Sequence, residues 1–308
     1  MNKTLLLGTA QWGWTRSKME AFALLDAWLK AGFRQVDMAT NYPINQNPAD
    51  FRAAENILRE YIQAHGLHDL AVTMKIGSLD NIRSPEVNLH PSFIQMMSEE
   101  YRRLFDSNLA CVMFHWDNRS ERAEIQASLA ALDGVCRQMG VRPGLSGLAH
   151  PSVYAQILAE MKYVFDIQLK HNPLHSDFPR YKPFLSPDYT GPKPAFYAYG
   201  LNVGGVKLDQ DFKEDSTFLA RGGQVIALLP MLEKLTNMLP KWNASVRPPV
   251  KTMNQLGLIY AHFHPDLSGI VLGASTPVQV QETLDFWRNF EVFDYQDVFA
   301  GIQKISAS

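Results

Sequence analysis

Four side chains at or just beyond the ends of short apolar runs could share one piece of chemistry: Asp37, Tyr42, Lys75 and His115. An isolated phenol titrates near ~10, so a tyrosine is a poor proton donor or acceptor at neutral pH. A neighbouring ammonium favours the phenolate and lowers that value. Lys75 can supply the ammonium, and a buried Lys75 needs an anion in turn, which Asp37 can provide. His115 can hydrogen-bond a carbonyl oxygen and orient it towards the tyrosine. An acid positioned in this way contributes about 10²–10⁴-fold to rate. The set suits protonation of a carbonyl oxygen while a hydride reaches the carbon. That hydride requires a cofactor, because no side chain supplies one. Taken singly, each residue has a plainer reading: a helix cap, a solvated lysine, a histidine packed beside Phe114. Their recurrence at successive strand ends is what singles them out.

Holding such groups together is the task of the elements. Apolar runs at Thr4–Gly8, Phe33–Asp37, Ala71–Lys75, Leu109–Phe114, Gly144–Leu148, Val164–Leu169, Ala195–Gly200 and Gly269–Gly273 read as strands buried on both faces. Between them lie helix-like segments at Lys18–Lys30, Ala49–Ala64, Ser92–Phe105, Glu121–Met139, Ser152–Met161, Val225–Met238, Thr252–His262 and Pro277–Trp287. Alternation of this kind predicts a mainly parallel sheet, and eight strands predict a (β/α)8 TIM barrel, a single domain over residues 1–308. A doubly wound sheet is the alternative, but no G-x-G-x-x-G follows the first strand. Between the sixth and seventh strands, Asn172–Lys193 carries five prolines, too many for a crossover helix. It reads either as a long irregular connection or as a loop shaping the mouth of the barrel.

Composition bounds the rest. The chain has 308 residues, 46% of them hydrophobic, enough for a large core. With 29 basic and 31 acidic side chains, the net charge of −2 argues against binding polyanions such as nucleic acid. Two cysteines cannot staple a fold of this size and suggest a reducing compartment. The short apolar run before Gln11 is too brief for a signal peptide, and no stretch is long enough to span a bilayer. A cytoplasmic protein without membrane contact is expected.

The segment Val36-Asp37-Met38-Ala39-Thr40-Asn41-Tyr42 resembles the D-T-A-x-x-Y motif of the aldo-keto reductases, with Met38 where Thr is usual. Phe114-His115-Trp116 is similar to that family's fourth-strand ending, and Leu7–Gly13 to its first strand and loop. The resemblance implies an NAD(P)H-dependent oxidoreductase on a (β/α)8 barrel. Tyr42 would be the general acid/base, Asp37 and Lys75 its tuners, and His115 the carbonyl-orienting group. Trp12 and Trp116 would line the substrate pocket; ordinary core packing is their alternative reading. For the cofactor, the resemblance implies Ser146, Gln168 and Tyr199 around the nicotinamide, with Gly200 and Leu201 beside them. Gly147 stands where the family usually has Asn, and Gly200 where Ser is common. Gly273-Ala274-Ser275-Thr276-Pro277 reads independently as a helix start with Thr276 as N-cap, a site suited to phosphate. In the family this segment meets the adenosine end of the cofactor, which carries Gly273, Ser275, Gln279 and Glu282 over as contacts. NADP(H) is expected ahead of NAD(H), although Gly273 and Gln279 occupy positions where basic residues often grip the 2′-phosphate.

The substrate implied is a small carbonyl compound, or the matching alcohol or sugar, in a monomer or weak homo-oligomer. Two rival classes remain on the sequence: a catalytically weak, cofactor-binding regulatory or partner-docking barrel, and a barrel isomerase or aldolase using Lys75 as a Schiff base. No metal site is expected; His262 and His264 read as surface histidines, and His171 and His175 are separated by Pro173. Ser146 lacks the G-x-S-x-G setting of a hydrolase nucleophile.

Overall fold

Side chains alternate across a strand, so each run must bury one set outward and one set inward if it is to close into a barrel. In the computed structural model, which describes residues 3–209, 217–220 and 222–306, eight strands do this. They are β1 (Thr4–Gly8), β2 (Gln35–Ala39), β3 (Ala71–Ile76), β4 (Leu109–His115), β5 (Arg142–Ser146), β6 (Asp166–Asn172), β7 (Ala195–Tyr199) and β8 (Leu267–Leu272). Each pairs in parallel with its sequence neighbour, and β8 pairs with β1, so the sheet closes. The fold is the (β/α)8 barrel expected from the sequence.

Outward residues such as Leu5, Leu7, Val36, Met38, Val112 and Ile167 join the main core between barrel and helices. Inside, many residues are polar, and Leu6, Tyr197 and Val271 form a small apolar cluster. Large inward side chains are accommodated by glycine. A Cβ on Gly144 would lie 2.5 Å from Met113, and one on Gly269 would lie 2.4 Å from the Tyr197 ring.

Around the barrel run α1 (Lys18–Lys30), α2 (Ala53–His65), α3 (Pro91–Phe105), α4 (Arg122–Met139), α5 (Pro151–Met161), α6 (Leu229–Trp242), α7 (Met253–His262), α8 (Pro277–Arg288) and α9 (Gln296–Ser306). Ser17 caps α1 through a reciprocal capping box with Glu20. Helix α2 begins later than the sequence suggests because Arg52 adopts a left-handed φ of 66°. Likewise α6 begins at Leu229 with Pro230 in its first turn, and Val225–Ala227 forms a separate 3₁₀ turn. Strand β2 starts two residues later than expected, since Phe33 instead stacks on Trp28 of α1 with ring centroids 4.7 Å apart. Strand β5 stops at Ser146, because Gly147 turns the chain at φ 69°.

The proline-rich interval is more ordered than a plain irregular connection. After a two-residue strand, His175–Ser176, antiparallel to β6, it forms a 3₁₀ helix over Phe178–Leu185. Phe178, Tyr181 and Phe184 are buried. With three residues per turn, that spacing puts all three rings on one face, against Phe196 of β7. The segment stands in for the missing crossover helix.

Candidate active site

Register decides which polar side chains share a level inside the barrel. Asp37 pairs across with Thr73, Ala39 with Lys75, His115 with Ser146, and Ser146 with Gln168. Asp37 and Lys75 lie within β2 and β3 rather than at their last residues, and His115 ends β4. Rigid strands therefore hold three of the four groups, while Tyr42 sits on the loop after β2. Asp37, Lys75 and His115 are 3% or less exposed and Tyr42 8%.

The buried carboxylate is fully engaged. Lys75 Nζ donates to Asp37 Oδ2, and Gln168 Nε2 donates to Oδ1 at 2.6 Å. Thr9 fixes the same residue from β1's side, its Oγ1–H donating to the Asp37 carbonyl at 2.8 Å. The Lys75 ammonium lies 5.1 Å from the Tyr42 ring centroid, against the phenol side chain. Burial alone would lower the Lys75 pKa, but the Asp37 charge and Tyr42 outweigh it, so the ammonium is held above its ordinary 10.5. A lysine held in this state is a fixed cation and not a free amine nucleophile.

His115 meets Tyr42 edge to face, ring centroids 5.8 Å apart. Burial, and then the Lys75 charge, push its pKa well below 6.5, so its imidazole is neutral. Its Nδ1 lies 3.1 Å from Asn41 Oδ1. Trp116 stacks on the His115 ring, with centroids 4.1 Å apart. Together these residues present a phenol tied to a buried ammonium, beside a neutral imidazole, which is an arrangement able to protonate and orient one oxygen atom.

The residues expected around a nicotinamide fall on neighbouring strands. Ser146 and Gln168 are buried side by side, and Gln168, having committed its N–H to Asp37, keeps Oε1 for another partner. Tyr199 ends β7, with its phenol pushed up by burial. Asn172 Nδ2 donates to the Gly200 carbonyl at 2.9 Å, and Leu201 is buried against Gly257 of α7. At Gly147 the structure explains the missing side chain: a Cβ would lie 2.5 Å from Trp116 Cδ1. The indole of Trp116 fills the space a side chain there would need.

Thr276 caps α8 as expected, accepting from Gln279 N at 3.2 Å. Gln279 Oε1 in turn takes the Ser275 N–H at 2.8 Å, and Ser275 Oγ reaches Gln11 at 3.3 Å. Gly273, Gln279 and Glu282 are exposed, and nothing lies within 4 Å of where a Gly273 Cβ would point. Trp116 is partly open, whereas Trp12 is 1% exposed and belongs to the main core.

Sequence reasoning passed over two parts of the site. One is Asn41, a spacer within the quoted motif. The other is a buried chain behind Lys75: Thr40 Oγ1 donates to the Lys75 carbonyl at 3.1 Å and lies 2.9 Å from the Tyr101 hydroxyl. Tyr101 donates to Glu55 at 2.9 Å, and Arg52 forks onto the same carboxylate. Glu55 on a helix face gives no sequence signal of this. His262 and His264 are not surface residues as expected; both are partly buried among aromatic rings, His262 stacking on Phe290 at 4.4 Å. Among the described residues no group of three or more His, Cys, Asp or Glu could hold a metal ion, and no helix is long and apolar enough to cross a membrane.

Comparison with known proteins bears on the fold and the family. Residues 4–183 match the family model described as Aldo/keto reductase family. Among solved structures, an aldo-keto reductase from Bacillus halodurans, in its holo form, superposes with a TM-score of 0.69. It is 15% identical, with 98% of this chain and 91% of that chain covered. No curated protein sequence matches the chain.

Proposed function

Because the chain belongs to the aldo/keto reductase family, we propose that it reduces an aldehyde or ketone, or oxidises the matching alcohol, with Tyr42 as the general acid/base. The observation that carries this reading is the buried chain Gln168–Asp37–Lys75–Tyr42 with a neutral His115 against it. A nicotinamide cofactor, when bound, supplies the hydride. Ser146 and Gln168 suit its carboxamide, since a hydroxyl and a free amide oxygen lie on adjacent strands at one level. Tyr199 offers a flat face, and the start of α8, with Ser275 and Gln279, suits the far end. Gln279 must then release the Ser275 N–H it now accepts. NADP(H) remains our expectation ahead of NAD(H), a preference that the neutral residues at 273 and 279 make worth measuring.

Chemistry at the oxygen falls to this chain's own side chains. Tyr42 gives its proton as negative charge builds on the carbonyl oxygen. Lys75, fixed as a cation by Asp37, stabilises the phenolate left behind. His115 hydrogen-bonds the same oxygen and sets its angle to the phenol. The fixed Lys75 cation counts against a Schiff-base role. Tyr42→Phe is expected to reduce turnover at least about 10²-fold while cofactor affinity stays within a few-fold. Parallel fluorescence titrations with NADPH and NADH measure that affinity and the preference. Full turnover by Tyr42→Phe, or binding of neither cofactor, overturns the proposal.

A further inference from the structure

A neutral imidazole carries one proton, so a histidine that must donate to a carbonyl oxygen needs that proton on the nitrogen facing it. In His115, Nδ1 is taken by Asn41, 3.1 Å away, which leaves Nε2 as the nitrogen available to a substrate. With Asn41 Oδ1 facing it, Nδ1 must be the donor, and Nε2 is then a bare lone pair. A lone pair repels a carbonyl oxygen. The same arrangement strands Asn41 Nδ2, a fully buried N–H group with no hydrogen-bond partner among the described residues. A buried orphan N–H is costlier and rarer than an under-satisfied carbonyl oxygen.

Both difficulties have one remedy. The two ends of an amide are nearly equal in shape, so half a turn about the Cβ–Cγ bond exchanges them in the same space. We propose that Asn41 sets the tautomer of His115: with its amide so turned, Nδ2–H donates to His115 Nδ1, and the imidazole keeps its proton on Nε2 for the carbonyl oxygen. Asn41 is thus a positioning residue that acts through His115. The surroundings favour a tautomer choice over full protonation, because Lys75 is a fixed cation nearby and Asp37 is spent on it. Tyr42, on the loop after β2, is the other titratable group against the ring. This inference rests on the reading of His115 as the carbonyl-orienting group.

The test reads the tautomer directly. Protein labelled with ¹⁵N in the rings of its nine histidines is examined by long-range ¹H–¹⁵N NMR, with cofactor bound, and His115→Asn identifies the signals. A pyridine-type Nδ1 and a pyrrole-type Nε2 are expected; the reverse pattern overturns the inference. In Asn41→Leu, which keeps the shape and loses the amide, the Nε2–H preference is expected to collapse towards a mixture. The turnover number is expected to fall about tenfold, with cofactor affinity unchanged. An unchanged tautomer in that variant also overturns it. Asn41→Asp offers only acceptors when ionised, so turnover is expected to be low at neutral pH and to recover as pH falls and the ring becomes doubly protonated. A purely structural role for Asn41 would give no such acid recovery. If Asn41→Leu fails to fold, the spectrum of the unaltered protein still decides. Turnover persisting in Tyr42→Phe would instead refute the catalytic reading, whichever tautomer is found.

Discussion

At the scale of single residues, the site depends on two opposite charges that neither partner could keep alone. Lys75 and Asp37 are almost wholly buried, and each satisfies the other. Removing one leaves an uncompensated buried charge, which costs about 3–5 kcal/mol. Lys75→Met and Asp37→Asn are each expected to lower stability by that order, measured by urea unfolding. The double variant leaves no charge behind and is expected to be more stable than the sum of the two losses allows. Turnover should not recover with it, because the phenol has lost its cation; strict additivity would show that the two groups are not coupled. The motif from Val36 to Tyr42 makes the charged pair legible, since Asp and Lys at strand ends suggest each other. Asn41 is not legible in the same way. Its importance comes from which ring nitrogen it touches, and that depends on how the loop after β2 folds against β4.

Elements show where sequence periodicity succeeds and where it misleads. Long helices such as α1 and α4 read almost to the residue, because apolar side chains recur at helical spacing along them, and in α1 a capping box marks the start as well. Helix α9 carries its signal in Val298, Phe299 and Ile302 but lies beyond the last strand, where the barrel pattern asks for nothing. The proline-rich segment holds a regularity that counting its prolines does not show. Its rings repeat every three residues, a period no strand has and an α-helix only approximates, and a 3₁₀ helix buries all three on one face. That segment also reaches the site. Leu148 N donates to the Tyr181 hydroxyl at 3.2 Å, and Leu148 lies two residues beyond Ser146. Tyr181→Phe strands this buried N–H and is expected to cost about 1–3 kcal/mol. Phe184→Ala removes only packing, at about 3–5 kcal/mol. If the segment braces the β5 loop, Tyr181→Phe weakens cofactor binding more than Phe184→Ala does, although it unfolds less readily. Fluorescence titration beside urea unfolding separates these effects, and the opposite ranking in cofactor affinity would refute the brace.

Over the whole molecule, the near-balance of charge conceals an asymmetry in proton binding. Eight strands and their alternation are legible in the sequence, but barrel closure brings together residues that no local pattern connects. His171 of β6, for example, stacks on Tyr260 of α7 at 4.3 Å and lies 5.1 Å from His264. Burial, followed by the charge of His264, lowers His171 to about 3. Burial lowers His262 and His264 each to about 4, and His115 also falls well below 6.5. In the unfolded chain all four take up protons as pH drops through 6.5, whereas in the folded barrel they do not. The unfolded state therefore binds more protons throughout that window, and stability falls with falling pH. Each fully buried histidine, His115 and His171, contributes up to about 1.4 kcal/mol per pH unit there. The more exposed His262 and His264 add less. Unfolding free energy is thus expected to be level between about pH 7 and pH 8, where buried Lys3 begins to lose its proton, and to drop between pH 6.5 and about pH 5, ahead of carboxylate titration. His171→Gln, which cannot titrate, is expected to flatten that slope by about 1.4 kcal/mol per pH unit. Urea unfolding across the range measures it, and an identical slope in the variant would show that His171 takes up protons equally in both states.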